Sequence, residues 1–389
     1  MNGCPAPQPV IVAARRTAVG TAGMAFADVD VVGLAAPVLA DLADLAGSAG
    51  GSPAIDEVVL GNCFGPGGNV ARSAALAAGL GIRTPAVTVD RQCGSGLQAV
   101  AQAATLIRSG TARTVLAGGA ESASTAPWRF WPPTEPGGEP RRYSQAPFAP
   151  PGFPDPSMGA GADALARRLG ISRERQDTYA ARSHRLARHS SEAGLFDAEI
   201  VGVRGVSRDQ RPREGLTVDR LARLRPAFGP DGTATAGNSS GVSDGAALLT
   251  VTADPQVPGL AIRSVVTVGC DPAMPGLGGP AAICELLRRN SIRALDVGAV
   301  EITEAFASVA VAAIELAALD EQSVCSDGGA IGYGHPWGAS GAVLLVRLFS
   351  RMVRADGPRL GVAACAIGGG LGMAMLLERT ENDRRPATP

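Results

Sequence analysis

A cysteine standing where an apolar strand turns into a helix is the residue best suited to chemistry in this 389-residue chain. It is Cys93, in the run VTVDRQCGSG over Val87–Gly96, and the helix it opens is read from Leu97. Unsatisfied amides and the positive end of the helix dipole stabilise a thiolate there, so the sequence predicts a thiol below its ordinary ~8.5. Gly94 and Gly96 are read as letting a substrate come close to the sulfur and as leaving main-chain amides free for an oxyanion.

A thiol nucleophile wants a base, and the chain has three histidines. His335 is the candidate, set in GGAIGYGHPWGASG over Gly328–Gly341. So many glycines weaken a segment unless its backbone has to pass close to a ligand or a neighbour. His184 and His189 fall on the face of a long helical stretch that is read as exposed. A third glycine cluster, ACAIGGGLG over Ala364–Gly372, ends a buried strand, and its amides are also placed to meet a developing oxyanion, although such a turn alone is a weak signal.

Composition removes other chemistries. All 35 basic side chains are Arg, so neither a Schiff-base lysine nor a phosphate-loop lysine exists. A net charge of -1 gives no footprint for nucleic acid or an anionic membrane, and neither partner is expected. Met1–Pro9 lacks the pattern of a signal peptide and no apolar run reaches the ~18 residues of a membrane span, so a cytoplasmic protein is expected. Seven cysteines without CxxC spacing argue against a disulfide framework and against a metal site.

The elements that must hold Cys93 and His335 alternate between strand and helix. Val10–Ala14, Asp56–Gly61, Ala86–Val89 and Thr114–Ala117 read as strands; Leu34–Leu45, Ala71–Leu80 and Leu97–Arg108 read as helices, which together predict a layered α/β sheet. Between Ala126 and Pro156 ten prolines interrupt the pattern, and no regular element is predicted there. Six of the chain's fifteen aromatics also lie in this segment, read first as a small satellite core and otherwise as a pocket wall or an oligomer contact. Gly161–Ala193 reads as one long helix. From near Gly245 the alternating strand-and-helix pattern resumes and runs through Ala261–Val268, Ala281–Arg288, Val297–Ile302, Ala307–Leu319, Ala339–Arg351 and Leu360–Ile367. A duplicated α/β body follows: residues 1–122 with 243–258 as one half, 259–389 as the other, and 123–242 as a middle insertion.

Taken in order, these segments resemble the thiolase family over nearly the whole chain. Besides the Cys93 and His335 motifs the resemblance rests on Met158-Gly159, LRPAF at Leu224–Phe228, TAGNSSG at Thr235–Gly241, DPAM at Asp271–Met274 and EAFA at Glu304–Ala307. It implies the thiolase fold, a five-layered α-β-α-β-α arrangement with the middle insertion covering the site, and a homodimer or homotetramer. It also implies a two-step exchange: Cys93, deprotonated by His335, takes an acyl group from an acyl-CoA or acyl-carrier thioester and passes it to a second substrate. Coenzyme A is then a substrate, and no cofactor is called for. By position, Gly368 and Cys93 supply oxyanion amides. Met158, Phe228, Ala236, Ser240 and Phe306 match the lining of the pantetheine and acyl channel, and Arg213 matches a nucleotide-contacting arginine.

Three positions depart from the family pattern. Thr303 stands where thiolases carry the Asn that holds a water on the thioester oxygen, and Ser157 where many carry a histidine. Ala366 occupies the place of the second cysteine, the base that removes an α-proton. Cys365 is one residue early, and a shift of one turns a strand side chain to the opposite face unless a bulge restores it. Three readings follow: an acyl-CoA C-acyltransferase with a rearranged base; an enzyme passing the acyl group to an amine, an alcohol or a carbanion made by decarboxylation; and a silent partner subunit.

Overall fold

The structure is a computed structural model that describes residues 6–48, 54–253, 255 and 257–380; Cys4 and the rest of 1–5, and the chain end from 381, lie outside them. The first half holds β1 (Val10–Arg16), β2 (Gly20–Thr21), α1 (Val31–Ser48), β3 (Glu57–Gly61), α2 (Val70–Ala77), β4 (Ala86–Val89), α3 (Ser95–Arg108) and β5 (Thr114–Glu121). The insertion holds β6 (Arg129–Trp131), β7 (Arg141–Tyr143), α4 (Met158–Leu169), α5 (Arg173–Glu192) and α6 (Val218–Ala222). Then come β8 (Ser243–Thr252), β9 (Leu260–Gly269), α7 (Gly278–Asn290), β10 (Ala299–Ile302), α8 (Ala307–Leu316), α9 (Ala330–Tyr333), α10 (Trp337–Phe349), β11 (Leu360–Ile367) and β12 (Leu371–Arg379).

All the strands except β6 and β7 form one sheet in the order β10-β11-β12-β9-β1-β8-β5-β3-β4, with β2 paired to β8. Its two halves meet only where β1 pairs β9, at Val10 with Ala261 and Ile11 with Leu260. Helices α1 and α2 cover the outer face of the first half, α7 and α8 that of the second, and α3 lies against α10 between them. This is the α-β-α-β-α order. Alternation along β11 shows why both faces are apolar: Ala363, Cys365 and Ile367 point into the central helix layer, Val362, Ala364 and Ala366 toward the outer one.

The central helices approach so closely that a β-carbon on Gly96 would stand 2.8 Å from the amide nitrogen of Ala342 and 2.9 Å from the carbonyl oxygen of Gly338. One on Gly94 would meet the Ile367 side chain at 2.4 Å. Both glycines therefore serve packing, which corrects the reading that they clear a path to the sulfur.

Other expectations also change. The stretch read as one helix over Gly161–Ala193 is two, because Gly170 takes a left-handed conformation at the end of α4 and the Ser172 hydroxyl then caps α5. His184 on α5 is buried, its Nε2 bonded to the carbonyl of Gly237 at 2.9 Å; His189 is exposed. The Pro-rich segment contains the hairpin β6–β7, with Trp131 stacked on Tyr143 at 4.6 Å. It is no closed satellite core, since Trp128 and Phe153 stay 70% and 61% exposed. Strand β12 was not anticipated; Gly369 and Gly370, both at positive φ, turn the chain back antiparallel to β11.

Candidate active site

Beyond β4 the chain makes a turn built to present one side chain. Asp90 accepts the amide of Gln92 at 2.8 Å, and Ser95 Oγ accepts the amide of Arg91 at 2.8 Å while donating to the carbonyl of Gln92 at 2.7 Å. Held at both ends, Gln92 adopts φ +48°, a left-handed conformation that costs of order 1 to 2 kcal/mol for a residue with a side chain. Cys93 follows, in the short turn that leads into α3.

His335 comes from the other half of the molecule. Gly334 at φ +117° has no room for a β-carbon, which would lie 2.4 Å from Ser243 Oγ, and the His335 amide donates to that same oxygen at 3.2 Å. Nδ1 lies 2.6 Å from the hydroxyl of Ser340 in the first turn of α10. Nε2 is buried with no protein partner. The tautomer that leaves a basic Nε2 is the one in which Nδ1–H donates to Ser340. Behind this loop Glu304, in the link between β10 and α8, accepts from Tyr179 at 2.8 Å, Ser183 at 2.6 Å and the amide of Ile331 at 3.1 Å, which ties that link to α5 and α9.

Cys93 and His335 line one cavity of about 310 Å³. Gly368, Met158, Phe228, Ser240 and Phe306 share it, as do Phe64 and Trp337, to which the sequence had assigned no role, and Phe148, one of the aromatics of the Pro-rich segment whose alternative reading was a pocket wall. No local signal marks Phe64, which arrives from the loop after β3. Ser340 did carry one, five residues beyond His335 at the head of a helix.

Burial pushes the Cys93 thiol up to about 12, with neighbouring Cys365 adding to the rise, and lowers His335 to about 4. The resting pair is thus a neutral thiol and a neutral imidazole. This corrects the predicted low thiol pKa: removal from water outweighs the first turn of a helix.

Three predicted site residues do not line the cavity. Thr303 is buried beside it with its hydroxyl donating to Cys365 Sγ at 3.1 Å, so that donor is already engaged. Ala236 is exposed elsewhere. Arg213 borders a separate cleft of about 580 Å³ together with His184, Arg185 and Arg188. Nor does Cys365 reach the cavity: the β11–β12 register is unbroken from Leu360 to Ile367, so no bulge turns it, and burial lifts its thiol to about 11.

Among the described residues no His, Cys, Asp or Glu cluster is arranged to hold a metal ion, and no helix is long and apolar enough to cross a membrane. Two halves of like architecture, each contributing one reactive side chain to a shared cavity, define the class of protein.

The chain belongs to the thiolase family: the Thiolase, N-terminal domain matches residues 9–254 and the Thiolase, C-terminal domain residues 257–379. A Staphylococcus haemolyticus protein provisionally named acetyl-CoA C-acetyltransferase VraB is 38% identical over 382 residues, 95% of this chain and 98% of that one. YhfS of Bacillus subtilis, provisionally named in the same way, is 37% identical over the same shares. The crystal structure of the Bacillus anthracis acetyl-CoA acetyltransferase superposes with a TM-score of 0.89 at 35% identity, covering 97% of this chain and 100% of that one.

Proposed function

We propose that this protein is an acyl-CoA C-acyltransferase working through an acyl thioester on Cys93. The observation that carries the reading is the unpartnered, buried Nε2 of His335 lining the same cavity as the Cys93 sulfur. Nε2 takes the thiol proton as Sγ attacks the thioester carbonyl, and returns it to the departing coenzyme A sulfur. Amides of Cys93 and Gly368 meet the oxyanion, a contribution of about 3 kcal/mol per donor in comparable sites. The second substrate then accepts the acyl group in a ping-pong exchange. Relatives that bear the name of an acetyl-CoA C-acetyltransferase support carbon as the accepting atom and coenzyme A as the carrier. Membership of the family supports a dimer or tetramer in the cytoplasm, with coenzyme A as substrate and no further cofactor.

Forming a carbon–carbon bond requires a base for an α-proton. Ala366 offers none, and Cys365 is sealed behind Thr303. Cys93 and His335 are the only ionisable side chains lining the cavity among the described residues, so His335 serves both half-reactions. Thiolytic cleavage of a 3-ketoacyl-CoA tests this. Cys93→Ala, which removes the sulfur that carries the acyl group, is expected to abolish turnover, and His335→Ala to lose about 10²- to 10⁴-fold, the usual worth of a general acid–base group, whereas Cys365→Ala keeps it. Loss of turnover in Cys365→Ala would overturn the single-base reading.

A further inference from the structure

Five of the chain's fifteen aromatic side chains, Phe64, Phe148, Phe228, Phe306 and Trp337, face the one cavity that holds Cys93. In so ring-poor a protein that concentration points to a ligand. Phe228 and Phe306 meet edge-on with centroids 5.6 Å apart and belong to the channel side with Met158. Phe64 and Trp337 form a second pair, centroids 4.6 Å apart, built from the loop after β3 and the first residue of α10.

That second pair is anchored. The buried carboxylate of Glu121 accepts the amide of Phe64 at 3.0 Å and, through its other oxygen, the amides of Cys63 and Gly338 at 3.1 Å each. One side chain therefore fixes the backbone beside both rings. Arg129 from the β6 edge roofs Phe64, its guanidinium 5.1 Å from the ring centre and bonded to the Cys63 carbonyl at 3.2 Å. Phe148 closes the wall by Gly368, where a β-carbon would come within 2.7 Å of its ring. Both Phe64 and Trp337 remain half-buried, leaving apolar ring surface open toward the cavity.

We propose that Phe64 and Trp337 form a subsite for the acyl end of the substrate, selecting thioesters whose acyl group carries an aromatic ring or an apolar chain of several carbons over acetyl. This rests on the acyl-enzyme reading above. An acetyl methyl is too small to cover two rings, and each further buried methylene is worth about 4- to 10-fold in selection. The step balances as acyl-CoA plus the Cys93 thiol giving the Cys93 thioester plus free coenzyme A.

The test compares rates of adduct formation on the whole protein, by intact mass, with acetyl-CoA, octanoyl-CoA and phenylacetyl-CoA. One of the two larger donors is expected to load at least tenfold faster than acetyl-CoA, and which one leads tells chain from ring. That ratio should fall tenfold or more in Trp337→Ala and in Phe64→Ala, either of which suffices if the other fails to fold. Equal or faster loading from acetyl-CoA overturns the subsite, as does a preference that survives both substitutions. Absence of any adduct from all three donors overturns the Cys93 reading itself.

Discussion

Cys93 and His335 face one cavity as neutral groups, so the proton has to move during attack rather than before it. Thiols at helix starts are often ionised at rest, but this one is pushed to about 12 by burial and its base is lowered to about 4. The sign is plain: between those limits the thiol keeps its proton and the imidazole stays unprotonated. The ultraviolet thiolate band, taken as wild type minus Cys93→Ala, should therefore be absent across the neutral range. A band already present at neutral pH would mean an ion pair at rest. The identities of both groups were legible in the sequence because each sits in its own glycine-marked turn. Their ionisation was not, because desolvation depends on what the opposite half of the molecule places over them.

At the scale of elements, the site exists because α3 and α10 approach nearly to backbone contact. Replacing Gly96 by Ala sets two effects against each other. Better helix propensity contributes up to ~1 kcal/mol, whereas a β-carbon 2.8 Å from the Ala342 nitrogen and 2.9 Å from the Gly338 oxygen meets backbone that cannot swing aside. Overpacking costs about 1 to 3 kcal/mol and wins. Gly96→Ala should lower the denaturant midpoint and slow acylation together, since α10 also carries Ser340; a stabilised variant would contradict the packing argument. Periodicity exposed most strands and helices to within a few residues, with β4 and β11 matching end for end. It failed where a single residue decides: Gly170 splits a continuous helical pattern, and the Gly369-Gly370 turn creates a partner strand for β11. It also missed β6 and β7, three-residue strands set among prolines.

At the scale of the whole molecule, a buried ionic network joins the halves to the insertion. Glu199 accepts from Arg16 of β1 at 2.8 Å and from Arg347 of α10; Arg16 also grips Asp209 at 2.7 Å, and Arg347 bonds Asp327. Glu199, Arg16 and Arg347 are all but inaccessible to solvent. Taking away a shared carboxylate leaves two buried cations each short of a partner, which costs ~3 kcal/mol or more. Glu199→Ala should thus show a clear drop in thermal midpoint; an unchanged midpoint would mean that the network adds nothing to stability. Such a network was invisible in the sequence, where its members, from Arg16 to Arg347, lie up to about 330 positions apart with no shared pattern.

Everything proposed for the chemistry requires that one sulfur carry the acyl group. Intact-protein mass spectrometry after brief exposure to acyl-CoA donors, followed by peptide mapping, measures this directly. The account predicts a single acyl increment, mapped to Cys93 and missing from Cys93→Ala. An increment that maps to another cysteine, or that persists in Cys93→Ala, would contradict it.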